Sequence, residues 1–305
     1  MKKTIIALVV IVLIGVGVYF FIQNRGVAPV PAVDAPVTTP TTAEAEPTKP
    51  VDTTKTVDTT KTVIGISVEN RPIPAYHFGT GAKELLFVGG THGGYEWNTV
   101  LLAYQLMDHL TANPAVVPEG VKVTVIPVLN PDGLIKVVGK EGRFTREDVS
   151  TSDEIVISGR FNANNVDLSR NFDCDWQTKG VWMTTPVSGG SKAFSETESI
   201  AFKNYVEAHN PSGVVVWYSS AGGVFSSSCH NGILPETMTL TTTYATASGY
   251  PAYESYDFYK LTGDMVNWLA KKNIPAISVL LTTHQDTEWT KNLAGIEALL
   301  KHYAK

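Results

Sequence analysis

Three short apolar runs and one alternating stretch, each stopped by small or turn-forming residues, constrain this chain more than any other feature. They are Leu85-Leu86-Phe87-Val88 before Gly89-Gly90, residues 121–128 before Asn130-Pro131-Asp132-Gly133, Gly213-Val214-Val215-Val216-Trp217-Tyr218, and residues 274–281. A run of that length bounded by Gly, Pro or Asn reads as a strand buried on both faces. Apolar residues recur at helical spacing over 98–110, 196–208, 235–247, 263–271 and 288–303. Ser195, with Glu198 three residues on, has the form of a capping box for the second of these helices. Strands hidden on both sides need helices on both sides. The expected fold is therefore α/β, a three-layer α/β/α sandwich around a mixed, mostly parallel sheet. Ligands of such sheets sit beyond the carboxyl ends of the strands, so the turns that follow the runs are where functional side chains are expected.

The folded part is shorter than the 305-residue chain. Met1-Lys2-Lys3 precedes an apolar stretch from Ile5 to Ile22, broken only by Gly15 and Gly17. That approaches the roughly 20 residues that span a bilayer as a helix, and lysines ahead of it favour a cytoplasmic N-terminus. Residues 1–23 are thus expected to be a single-pass membrane anchor with the rest extracytoplasmic. Cleavage near Ala28 or Ala32, as in a signal sequence, would leave a secreted protein. Residues 24–63 are dominated by Pro, Thr, Ala and Val, and the stretch 51–56 repeats at once as 57–62. Such a segment buries too little surface to offset its ordering entropy and reads as a tether; the alternative is a small β-element built on the repeats. The domain proper is expected over 64–305. With 24 Lys and Arg against 29 Asp and Glu, a net charge of −5 and no basic cluster, the chain is not a nucleic-acid binder. Cys174 and Cys229 are the two cysteines. Outside a membrane they are free to bridge, and two buried thiols are the other reading.

The chemistry-bearing segments follow the runs. His92 and Glu96 lie on the first strand-to-helix turn, where one imidazole nitrogen and one carboxylate could face a zinc ion. Asn130-Pro131-Asp132-Gly133 reads as a turn after the second run. Then comes Arg160-Phe161-Asn162-Ala163-Asn164-Asn165-Val166-Asp167-Leu168-Ser169-Arg170-Asn171-Phe172. In this order the segments resemble the M14 zinc metallocarboxypeptidases, whose pattern runs His-x-x-Glu, Asn-Pro-Asp-Gly, then Asp-x-Asn-Arg-Asn. The stretch from Tyr259 to Trp268 and the closing stretch from Glu288-Trp289 to Leu300 are also similar to that family. The resemblance covers about residues 64–305.

It implies one zinc ion, held by His, Glu and a second His, and a nearby Glu as general base. His92 and Glu96 take the places of two ligands. Arg170 takes that of the clamp on the substrate's terminal carboxylate, a group that a planar guanidinium matches in bidentate fashion. Arg160 matches the arginine that polarises the scissile carbonyl, Tyr259 the mobile tyrosine over the substrate, and Val266 the position that tunes the side-chain pocket, here with an apolar floor.

Four positions depart from the pattern. His92 and Glu96 are separated by three residues rather than two, an insertion that Gly93 and Gly94 could absorb. Ser169 stands for the Asn before the clamp arginine, with a shorter reach. Tyr218 stands where the second zinc His is expected, and Leu280 where the general-base Glu is expected. His230 and His284 are out of register for the first vacancy, Asp286 and Glu288 for the second. Two functions are compatible with this sequence. One is a zinc carboxypeptidase trimming exported peptides or peptidoglycan stem peptides. The other is an impaired or inactive descendant that binds their carboxylate termini. Expected partners are that peptide or peptidoglycan-derived ligand and the membrane through the N-terminal helix, with the protein a monomer.

Overall fold

These four stretches become the four central strands of one sheet. A computed structural model describes residues 60–304. The anchor expected at 1–23 and the tether up to residue 59 lie outside the described residues. Among the described residues, no helix is long and apolar enough to cross a membrane.

In chain order the sheet strands are β1 (Lys61–Ile66), β2 (Pro72–Phe78), β3 (Lys83–Val88), β4 (Val121–Ile126), β7 (Gly213–Ser219), β8 (Gly223–Ser226), β9 (Ala252–Tyr253) and β10 (Ala276–Leu281). A separate hairpin pairs β5 (Lys179–Trp182) with β6 (Thr185–Ser188). The sheet order is β1-β2-β4-β3-β7-β10-β8-β9. Strands β4, β3, β7 and β10 run parallel, whereas β1, β2 and β8 join antiparallel neighbours. The mixed, mostly parallel sheet is as the apolar runs predict.

Helices cover both faces. They are α1 (Trp97–Ala112), α2 (Pro131–Val138), α3 (Asp153–Ser158), α4 (Thr197–His209), α5 (Pro235–Ser248), α6 (Met265–Lys271) and α7 (Trp289–Tyr303). Alternation along the strands sorts the core in two. Leu85, Phe87, Trp217, Ile277 and Val279 pack with α1, α5 and α7, while Leu86, Val88, Val216, Ala276 and Leu280 pack with α4 and α6. Each such buried side chain contributes about 1.5–3 kcal/mol, so either face alone would hold the sheet to its helices.

Three local expectations change. Asn130-Pro131-Asp132-Gly133 opens a helix instead of making a plain turn, because the Asn130 side chain accepts the Gly133 N–H at 2.8 Å and Pro131 fits the first helical position. The capping box at Ser195 does not form. Its hydroxyl donates to Glu196 Oε1 at 2.6 Å, and Glu198 is buried against Asn162 and the Val68 N–H. Finally, β1 takes in Lys61, Thr62 and Val63, residues read above as tether, which pair with β2 as an edge.

Candidate functional site

Strand β3 ends at Val88, and a glycine turn carries the chain to His92. Gly93 has φ +46°, and a Cβ there would lie 2.6 Å from Gly159 O, so the turn closes only with glycine. The short 3-10 turn Gly93–Glu96 brings Glu96 back to His92, with Oε1 2.9 Å from Nδ1. The extra residue between them is absorbed.

The segment after α3 builds the other wall. Asp167 accepts the Ser169 N–H at 3.1 Å, which starts the 3-10 turn Leu168–Arg170. Arg160 Nε and Nη2 donate to Asp167 Oδ2 at 3.0 and 2.8 Å, and its Nη1 lies 3.2 Å from His92 Nδ1. Trp182 covers this guanidinium at 4.5 Å. A charge buried this deeply needs a partner, and Asp167 supplies it. Arg160 thus lines the cavity with its Nε and Nη2 committed to Asp167. Burial would raise the Asp167 carboxyl, but Arg160 and His92 hold it well below the usual carboxylate range. The Ser169 hydroxyl is also engaged inward, donating to Asp167 Oδ1 at 2.7 Å and lying 2.8 Å from His92 Nε2.

Arg170 is different. Its guanidinium donates to Ser169 O and Oγ and to Val181 O, at 2.9–3.3 Å, and to no carboxylate among the described residues. Although only 2 % exposed, it lines a cavity of about 810 Å³ with the Tyr259 ring 5.7 Å away. Tyr218 and Leu280 are in register on β7 and β10, at the carboxyl ends of both strands, and both face the same cavity. Val266 lies there too, but the wall around it is not purely apolar: Ser226, Ser228, Asp264, Asn267 and Ser278 also line it.

A catalytic zinc takes three protein ligands and keeps one open position. His92 and Glu96 provide two, and Glu96 Oε2 is buried without a hydrogen-bond partner. The third position holds the Tyr218 phenol, whose OH is also unpartnered. Burial, with Asp264 and Glu96 nearby, pushes that phenol well above its ordinary range, whereas metal ligation needs the deprotonated group. Both His92 nitrogens are engaged, Nδ1 facing Arg160 Nη1 at 3.2 Å and Nε2 facing Ser169 Oγ at 2.8 Å. His284 lines the cavity against Tyr95, while His230 pairs with Asp175 at an exposed position. Among the described residues, no three His, Cys, Asp or Glu side chains converge as a metal-holding group. The residues present do not fit the zinc ion of the resemblance.

Among the described residues, neither Asp286 nor Glu288 replaces Leu280 with a carboxylate at the cavity. Glu288 is turned to Thr282, Tyr250 and Lys291, and Asp286 accepts the Glu288 N–H. Cys174, just past the clamp arginine, is disulfide-bonded to Cys229 at the end of β8. Sequence reasoning passed over Asp167, Asp264 and Trp182. Asp167 stands inside the motif quoted above, whereas Asp264 before a helix looks like a cap and Trp182 has no pattern around it.

The sequence pattern of the family Peptidase_M14, zinc carboxypeptidase, matches residues 52–293, and the chain belongs to that family. No curated protein matches the chain by sequence. Among solved structures, it is similar to the murein-tripeptide amidase MpaA from Escherichia coli O157, at 20% identity and TM-score 0.54, covering 79% of this chain and 91% of that one. It is similar to carboxypeptidase A from Helicoverpa armigera at 18% identity and TM-score 0.61, covering 80% and 68%. Bovine thrombin-activatable fibrinolysis inhibitor, solved with tick carboxypeptidase inhibitor, gives 16% identity and TM-score 0.60, covering 80% and 88%. At these identities the likeness establishes the shared fold.

Proposed function

We propose that this domain captures the C-terminal carboxylate of peptides or peptidoglycan stem peptides and does not turn them over with zinc. The observation that carries the reading is Arg170, a buried guanidinium that faces the cavity without a carboxylate partner. Buried charges are stable when paired, and a ligand carboxylate would complete the pair in bidentate geometry. Tyr218 and Leu280 support the absence of turnover, since neither supplies the third ligand or the base. The similarity to a murein-tripeptide amidase supports a cell-wall peptide as one ligand class. We also place the domain outside a membrane, on a tether anchored by residues 1–23, a reading supported by the apolar stretch after Lys2-Lys3.

Calorimetric titration of the full chain, with chelator present, compares a peptide as free acid and as C-terminal amide. The acid is expected to bind at least about tenfold more tightly, and Arg170→Ala to bring the acid down to the level of the amide. Equal affinity for acid and amide in the native chain would contradict the proposal. Hydrolysis is the second reading, favoured by the retained His92–Glu96 pair with its free Oε2. Chelator-sensitive release of C-terminal residues by the native chain would establish it instead.

A further inference from the structure

The Cys174–Cys229 disulfide uses both cysteines of the chain and lies directly behind the wall that carries Arg170. Cys174 stands four residues after Arg170, and Cys229 follows Ser228, which lines the cavity. A closed circuit of bonds joins the two cysteines. Phe172 N–H donates to Gly263 O at 2.9 Å, and Gly263 N–H donates to Cys174 O at 2.7 Å. Gly263 has φ +65°, and a Cβ on it would stand 2.2 Å from Arg170 O, so this crossing needs glycine. Asp264, the next residue, accepts the Asn267 N–H at 3.0 Å, and the Asn267 side chain accepts the Ser228 N–H at 3.1 Å. From Ser228 the chain reaches Cys229, and the S–S bond returns it to Cys174.

The circuit holds Arg170 from its C-terminal side, as the Asp167 turn holds it from the other. Helix α6 and the loop after β8 form one unit, because Asn231 Nδ2 also donates to Ala270 O at 3.1 Å. The disulfide ties segment 170–174 to that unit. The other ties are the two Gly263 hydrogen bonds, a ring contact of Phe172 with Trp268, and the exposed pairs Lys271–Asp173 and His230–Asp175. Single hydrogen bonds add modestly and exposed ion pairs add little. The sheet itself does not depend on the bond, which lies past the end of β8 while the strands keep both helical layers.

We propose that this disulfide positions the clamp, so that the domain captures a carboxylate when oxidised and releases it when reduced. This rests on the carboxylate-binding reading above and adds its regulation. The reductant is an external dithiol. Cys229, 8 % exposed against 4 % for Cys174, is followed by exposed residues 230–232 and offers the more open sulfur. A thiolate of the reductant attacks it, the S–S bond breaks, and Cys174 leaves as a thiolate. The second thiol of the reductant then closes on the first and expels Cys229. Two electrons and two protons have passed to the protein, which holds two thiols, and the reductant departs as its own disulfide.

The test measures, in chelator, the equilibrium of the full chain with dithiothreitol, alone, with saturating peptide free acid, and with its C-terminal amide. By linkage, the factor by which oxidation tightens acid binding is the factor by which the acid favours disulfide over dithiol. It is expected to reach at least about tenfold for the acid and to be absent for the amide. Calorimetry is expected to show the matching loss of acid binding in the reduced chain and in Cys174→Ser with Cys229→Ser. Circular dichroism of the reduced chain is expected to keep its helix and sheet signal at the assay temperature. A dithiol equilibrium that acid and amide leave equally unmoved overturns the proposal. Unfolding of the reduced chain does so too, since the bond would then hold the fold and not the wall. Equal binding of acid and amide by the oxidised chain defeats the carboxylate reading itself, and needs no reductant to be seen.

Discussion

Two side chains depart from the residue pattern of the family at the cavity. Tyr218 and Leu280 sit side by side on β7 and β10, where the resemblance expects the second zinc His and the general-base Glu. Both positions were legible in the sequence because the strands around them are unmistakable and the register follows. The pairing of Arg160 was not. Its role looked like that of a free arginine, and only the fold brings Asp167 onto its Nε and Nη2. Asp167 then anchors Arg160, Ser169 and the His92 side of the site at once. Asp167→Ala should cost about 3–5 kcal/mol, because it leaves a buried guanidinium without its partner. Urea denaturation checks this, and a loss below about 1 kcal/mol would show that the pair does not organise the wall. Asp264 escaped sequence reading for a different reason: an aspartate ahead of a helix is explained by its cap, and its second face appears only when the cavity does.

Among the elements, legibility tracked burial. Strands β3, β4, β7 and β10 are almost wholly buried, so their sequences are dominated by apolar residues, with Lys122 and Thr124 alternating in β4. The edge strand β1 and its neighbour β2 are partly exposed, and β2 contains Pro72 and Pro74, so neither gave a strand pattern. Helix α2 hid behind its own cap, where Asn-Pro-Asp-Gly can serve a turn or a helix start equally well. The β3–β4 pair carries a buried charge that makes a test at this scale. Glu84 accepts hydrogen bonds from Thr124 and Tyr205 and pairs with Lys122 at 2.9 Å. Burial alone would raise its carboxyl, but these bonds outweigh that and hold it below its ordinary 4.5. A carboxyl depressed in the folded state stabilises the protein fully above its unfolded value and loses that contribution as pH falls through the folded one. Glu84→Gln is therefore expected to flatten the fall in stability below about pH 4 and to cost about 1–3 kcal/mol at neutral pH. Denaturation across pH 2–7 (roughly the span of carboxylate titration) reads both, and an unaltered acid limb would contradict the depressed carboxyl.

For the whole molecule, the scaffold and the chemistry separate cleanly. The sheet and its two helical layers are those of the family, and the two departing side chains lie in the core on the α4 and α6 side, where Tyr218 and Leu280 pack with Val216 and Val266. That packing explains how a zinc-peptidase fold keeps its shape without a complete zinc site. Its remaining pocket presents Arg170, hydrogen-bonded to no carboxylate among the described residues, with the Asp264 carboxyl in the same wall. The most direct test of the account is metal content and C-terminal residue release by the purified full chain, beside the variant Tyr218→His with Leu280→Glu. The account predicts well under one zinc per native chain and no release, with zinc binding and chelator-sensitive release gained together in the double variant. Stoichiometric zinc and chelator-sensitive release in the native chain would contradict it.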